Sequence, residues 1–422
     1  MNFLKNYKSS VILLGSVLLG GIAGAILGPK AAMLEPFGNL FLNLMFTIIV
    51  PLVFFSVSSA IANMASMKRL GKIMGSVIIV FTATALIASV ISVVGALLVN
   101  PTKGIDQGTI QKLMATAGEA PKAENTGVLQ QIVNTFTVSD FMNVFSRKNM
   151  LQLIVFSLLF GISTAMVKEK AEPVAKFLKA GSHVMMKFVD IIMYYAPIGL
   201  GCYFASVVGQ LGTQILQGYL RVFILYLVLS IILYFGVLTI YAFLAGGREG
   251  ISVYWKNVIT PSITALATCS SAACIPINLE YTKKMGVPVD ISETVVPLGA
   301  NTHKDGSVIG GVMKITFLFG LYGKDMKSFS AIIGIIFVSY LVGAVMGAIP
   351  GGGMIGEMLI LSVYGFPPEV LPIIAVISTI IDAPATLLNS TGNTVCAMMV
   401  TRLVEGKNWL TNKISISHEM KA

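Results

Sequence analysis

The chain has 422 residues and a net charge of +10, with 55% hydrophobic and only 11% charged residues, and its mean hydropathy is +0.84. A soluble domain carries about 25% charged residues to cover its surface, so this composition excludes a water-soluble globular protein and points to membrane-embedded helices. The positive charge lies in short clusters between apolar runs and not along one face, which excludes a nucleic-acid surface and fits topology signals.

A membrane span needs about 20 apolar residues. The first apolar run, 11–27, is followed by no small-residue cleavage site and is expected to stay as a helix. Runs at 40–62 and 73–99 come next, then a mixed polar stretch at 100–149 read as an outer loop, then runs at 151–166, 184–208 and 220–244. With simple alternation, Lys5, Lys8, Lys68, Arg69, Lys72, Lys168, Lys170, Arg248 and Lys256 all fall on one side. The positive-inside rule makes that side cytoplasmic, with the amino terminus inside. Cys202, Cys269, Cys274 and Cys396 lie in apolar or small-residue stretches, as reduced thiols do, without the spacing of a zinc site or a disulfide framework.

Beyond residue 251 the pattern changes. The apolar stretch 258–279 is broken by Cys269-Ser270-Ser271-Ala272-Ala273, and Lys283 and Lys284 follow on the cytoplasmic side. It reads as a re-entrant hairpin with a small polar tip. A second hairpin is expected at 331–362, broken by Ile349-Pro350-Gly351-Gly352-Gly353. Runs 291–319 and 371–400 lie between and after them, each apolar but interrupted by polar residues. Non-helical backbone at membrane depth survives only inside protein or beside a cavity. Two such breaks in corresponding places point to a transporter's midplane site built from inverted repeats.

Three polar clusters sit in this apolar sequence. Ser270 and Ser271, with freed backbone N–H groups, could cradle a carboxylate, or could equally bond their own helix backbone. Next comes Asn301-Thr302-His303-Lys304-Asp305-Gly306-Ser307. Burying a Lys or Asp at the bilayer centre costs about 2.5–3.5 kcal/mol, and adjacent residues point apart on a helix, so an unwound stretch is expected. Third, Asp382, Thr386, Asn389 and Asn393 recur at intervals of four, three and four. That spacing lines a carboxylate, a hydroxyl and two amides along one stripe of a helix as a ligand-facing surface. Lys314 and Glu357 stand as isolated intramembrane charges. Lys314 is read as a snorkelling side chain, and Glu357 as either a proton carrier or an interfacial group. No nucleophile–base pair, metal cluster or phosphate loop is visible, and His183, His303 and His418 are scattered, so an enzyme and an enzyme cofactor are not expected.

At these residues the chain resembles the dicarboxylate/amino acid:cation symporter family, which has the glutamate transporter fold. The resemblance covers nearly the whole length. It rests on the serine-rich tip Cys269-Ser270-Ser271-Ala272-Ala273-Cys274-Ile275-Pro276, on Pro297-Leu298-Gly299-Ala300 leading to His303-Lys304-Asp305-Gly306-Ser307 where relatives carry Asn-Met-Asp-Gly-Thr, and on the closing helix with Asp382 and Asn389. The tip and the Leu388-Asn389-Ser390 segment are most similar to the serine/threonine branch.

The resemblance implies an all-α integral membrane fold of eight transmembrane helices and two re-entrant hairpins, a homotrimer in the cytoplasmic membrane, and an elevator mechanism. It assigns 1–72 to scaffold helices 1 and 2, 73–100 to transport-domain helix 3, 101–212 to the outer loop and scaffold helices 4 and 5, and 213–250 to transport-domain helix 6. Hairpin 1, helix 7, hairpin 2 and helix 8 form the transport core at 251–405, before a cytoplasmic tail at 406–422. By the same resemblance Asp382 holds a substrate amino group, Thr386 and Asn389 contact its amino and carboxylate groups, and Ser271 contacts the carboxylate. Ser270 and Ser307 add hydroxyls, and Pro350 and Gly353 belong to a gating second hairpin.

Departures from the family pattern set the functional expectation. The arginine that grips an acidic side chain in relatives is Ala385 here, which favours neutral amino acids, although Lys304 leaves aspartate or glutamate open. Of the third-helix sodium ligands only Thr84 is kept, beside Phe81 and Ala85. A carboxylate of the last helix is Asn393, and Lys304 is expected to stand where cations bind in relatives, its ammonium repelling sodium near Asp305 and Asn389, a hard cation that needs several oxygens. The expectation is therefore a carrier of a small neutral amino acid that is sodium-independent or proton-linked, with His303, Lys304 or Glu357 titrating. The alternatives are a sodium-coupled serine/threonine or dicarboxylate/glutamate symporter and, in another class, an uncoupled facilitator or anion-conducting channel.

Overall fold

In a computed structural model, which describes residues 3–62, 68–102, 137–146, 149–211, 214–346 and 352–410, helix follows helix, with no strand among the described residues. In lipid a backbone must satisfy its own N–H and C=O groups, and a helix does so within one segment. Helix α1 (Phe3–Leu27) turns through a 3-10 segment into α2 (Glu35–Ala62), and α3 (Lys68–Val99) follows. Then come α4 (Met150–Val167), α5 (Glu172–Met193) and α6 (Ala196–Leu211). Helix α7 (Gln214–Ile231) passes through a π-helical segment into α8 (Leu238–Thr268), which leaves helical geometry at Gly246 and Gly247. Most of the polar stretch 100–149 lies outside the described residues.

The rest of the chain is broken where the sequence is polar. Helix α8 ends at Cys269, whose backbone is left-handed (φ 47°), and α9 (Ser271–Lys284) begins at once and packs back on α8. This is the first hairpin, and its descending arm starts after Gly247, well before residue 258. Helix α10 (Val289–Thr302) and α11 (Asp305–Leu321) are separated by the extended residues His303 (φ −133°, ψ 109°) and Lys304 (φ −142°, ψ 78°), the expected unwound stretch. Helices α12 (Phe329–Val345) and α13 (Gly352–Tyr364) pack on each other. At 17 and 13 residues they are shorter than a span. The tip between them, Pro350 included, lies outside the described residues. Helix α14 (Leu371–Glu405) closes the core and runs through Pro384.

Among the described residues, four stretches are long and apolar enough to cross a membrane, Gly15–Phe41, Lys72–Val99, Leu216–Leu266 and Pro368–Glu405, and a fifth if the bent pair Val155–Ile192 and Ala196–Gln210 is one span. On α3, Ile78, Ile79, Leu86, Val90 and Val94 are exposed while Val77, Phe81, Thr84, Ala85 and Ala88 are buried. The outward apolar face suits lipid, and the inward face carries the one polar side chain of that set.

Helix α1 packs on α6, and α2 packs on α4, α5 and α6, whereas α3 and α7 to α14 pack mainly among themselves. Small residues make the α1–α6 seam. A Cβ on Gly20 would lie 2.2 Å from the Gly201 carbonyl oxygen, and one on Gly24 would lie 2.4 Å from that of Ala205. Van der Waals contact between close backbones replaces the hydrophobic drive that lipid removes.

Candidate functional site

The break between α10 and α11 delivers His303 into the protein, 2% exposed. Its Nε2 lies 2.7 Å from Thr84 Oγ1 and 3.0 Å from Asp305 Oδ1. Its Nδ1 lies 2.8 Å from Asn393 Oδ1. The ring stacks on Phe81 with centroids 4.2 Å apart. The Thr84 hydroxyl also lies within hydrogen-bond distance of the Val80 and Phe81 carbonyls, at 3.1 and 3.3 Å. The ring thus lies between Thr84, Asp305 and Asn393, with the Thr84 hydroxyl and the Asp305 carboxylate sharing its Nε2 side. Asp305 opens α11, where a carboxylate also meets the positive end of the helix dipole. Thr84, His303, Asp305 and Asn393, picked from three parts of the sequence, meet at one ring. Lys304 is buried beside it as the residue just before α11, and the group that joins Thr84 to Asn393 is the imidazole of His303, not the Lys304 ammonium.

The stripe on α14 divides. Thr386, Asn389 and Asn393 are buried, but Asp382 is exposed. Asn389 is fixed by Ser307: its Oδ1 accepts from the Ser307 N–H at 3.2 Å and its Nδ2 donates to the Ser307 hydroxyl at 3.1 Å. Asp382 keeps an open carboxylate within electrostatic reach of Lys304 and Lys314. Between these residues α11 and α14 touch backbone to backbone, since a Cβ on Gly306 would lie 2.5 Å from the Ala385 carbonyl oxygen and 2.9 Å from its Cα. The Tyr226 hydroxyl donates to the Gly306 carbonyl at 2.8 Å and holds the joint. Ala385 is itself buried.

At the first hairpin tip, the Ser270 hydroxyl accepts from the Ala273 N–H at 3.3 Å and caps α9. The local alternative for this serine, bonding to its own helix, is therefore the one its hydroxyl adopts, and Ser271 follows it buried at the start of α9. Gly353 is half-buried in the first turn of α13.

Lys314 does not snorkel. Its Nζ lies 3.2 Å from Glu357 Oε1, with the two side chains 2% and 1% exposed. Too far from any water to reach it, the ammonium is held by the opposite charge instead. The Ser378 hydroxyl on α14 donates to the same Glu357 oxygen. Sequence reading missed Ser378 and the pairing. The available signal was that two lone charges of opposite sign stood in otherwise apolar helices.

Residues 10–403 match the profile of the Sodium:dicarboxylate symporter family. The chain belongs to that family. It is 29% identical over 395 residues to the proton/sodium-glutamate symport protein of Bacillus caldotenax, covering 92% of each chain. It is 28% identical over 417 residues to the proton/glutamate-aspartate symporter of Escherichia coli K12, covering 94% of each. With the C4-dicarboxylate transport protein of Brucella anthropi the identity is 30% over 405 residues, or 92% of this chain and 87% of that one. As a family member the chain is a membrane symport protein, and the relatives named here are transporters and not enzymes.

Proposed function

We propose that the chain is a secondary transporter of a small neutral amino acid that works without sodium, its coupling ion being the proton. The observation that carries this reading is the His303 ring bonded to Thr84, Asp305 and Asn393. A side chain set between those oxygens stands in the space that a metal cation would need. Ser307, Asn389, Thr386 and the open Asp382 then form the substrate wall. Asp382 takes the ammonium, and Asn389 and Ser271 face the carboxylate. The buried Ala385 supports a neutral side chain, because an acidic one needs a bidentate cationic partner.

On this reading the chain has eight spans and two hairpins in inverted repeats, with its amino terminus in the cytoplasm and a trimeric assembly in the cell membrane. The group of α1, α2 and α4 to α6 is the scaffold. The group of α3 and α7 to α14 slides as an elevator, with Pro350 and Gly353 in the gate. A second reading has a specific basis. The curated relatives are named for glutamate, aspartate and C4-dicarboxylates, and Lys304 lies in reach of the site, so a sodium- or proton-coupled acidic substrate is the competitor.

Counterflow in proteoliposomes separates them. Labelled L-serine should exchange against internal L-serine in sodium-free buffer, with faster net uptake when the outside is acidified. Exchange of L-aspartate or succinate with no L-serine exchange would overturn the substrate, and substrate-independent current would favour a channel.

A further inference from the structure

Lys314 and Glu357 lie outside the substrate wall, yet they touch it mechanically. Lys314 comes from α11, Glu357 from α13 of the second hairpin, and Ser378 from α14, and all three meet at Glu357 Oε1. Ser378 and Asp382 are one helical turn apart on α14. Between them and the rest of the wall stands Pro384, which has no N–H for the Ile380 carbonyl. The half-helix that presents Asp382 is therefore not held in register by intrahelical bonding alone. Gly353 lies one turn before Glu357, and a Cβ there would sit 3.5 Å from Ser378 Oγ and 3.8 Å from Glu357 Oε1. The hairpin's first turn and the presenting half-helix thus converge on one carboxylate. A buried ion pair is poor evidence of stability, because an apolar pair of similar volume often holds a fold as well. Ionisable groups inside a membrane protein are functional by default.

We propose that Lys314 and Glu357 are positioning residues for substrate binding, fastening the half-helix at Ser378 so that Asp382 meets the substrate ammonium. This rests on the reading of Asp382 as the ammonium site. Lys314 makes the buried carboxylate tolerable, Glu357 accepts the Ser378 proton, and the tether passes through the helix to Asp382. The tethered hydroxyl is the sharpest point to cut, since it can be removed with the ion pair intact.

The test is binding of L-serine to the purified full-length protein, with the ligand-free melting temperature measured in parallel. If L-serine is inactive, the neutral amino acid that shifts the wild type most takes its place. Ser378→Ala is expected to leave the melting temperature within a few degrees of wild type and to weaken binding at least tenfold, and Ser378→Thr to restore it. Lys314→Met with Glu357→Leu is expected to melt near wild type while still binding at least tenfold more weakly. Binding within twofold of wild type in Ser378→Ala would overturn the proposal and leave the pair a packing feature. A wild type that binds no amino acid would instead refute the ammonium reading, and the two failures are distinct.

Discussion

Two of the backbone-to-backbone helix contacts in this molecule, α1 with α6 and α11 with α14, differ in that only the second builds a site. Helix α1 meets α6 at Gly20 and Gly24, against Gly201, Ala205 and the side chain of Val208. Helix α11 meets α14 at Gly306, against Ala385. The close approach is the same. In the second seam the contact is bracketed by polar pairs, Ser307 with Asn389 and His303 with Asn393. Glycine gives van der Waals adhesion in both places. What turns adhesion into recognition is that the unwound residues at 303–304 let α11 start beside α14 with its polar first turn facing inward.

The comparison is tested first at the buried charges of the second seam. Removing one partner of a buried ion pair costs about 3–5 kcal/mol, so Lys314→Met alone should lower the melting temperature by the largest amount of any single change here. Adding Glu357→Leu should return most of it. Next, Gly20→Val and Gly306→Ala should each destabilise by about 1–3 kcal/mol through overpacking. They should differ in function: the protein that folds with Gly20→Val binds substrate as the wild type does, and Gly306→Ala does not bind. Equal binding in both would erase the distinction between the seams. Asn389→Ala removes a buried two-bond pair with Ser307 and should cost about 1–3 kcal/mol, with substrate affinity down by roughly tenfold or more, as read by titration calorimetry.

The smallest effect lies outside both seams. Asp325, in the turn before α12, accepts from the Lys327 and Ser328 N–H groups at 2.8 and 3.1 Å. The backbone N–H of Lys327 holds its carboxyl below the ordinary Asp range. A carboxyl held low contributes in full at neutral pH, and its contribution is lost as pH falls through that lowered value. Asp325→Asn should therefore have a small effect on melting at pH 7 and none at a pH low enough to protonate the native carboxyl.

The breaks were legible because polar residues in an apolar run leave few options at membrane depth. Cys269-Ser270 and His303-Lys304 fall where the sequence placed them. The helical stripe of Asp382, Thr386, Asn389 and Asn393 also follows from spacing alone, since all four sit on α14. Spacing could not tell that Asp382 stays open while the other three are buried. Which residue occupies the space beside Asp305 was not legible either. Lys304 and His303 are neighbours in sequence, and only the extended backbone at both positions decides that the imidazole reaches Thr84 and Asn393. The Lys314–Glu357 contact joins residues 43 positions apart in helices that look uniformly apolar, so pairing could not be read from local pattern.

The central claim is that His303 stands where a cation would. It is tested most directly by thermal shift of the purified protein with L-serine in sodium chloride and in choline chloride, for wild type and for His303→Asn. The account predicts equal stabilisation of the wild type in the two salts and stabilisation of His303→Asn only when sodium is present. A wild type stabilised by L-serine only in sodium chloride would contradict it, because the imidazole would then leave room for the ion.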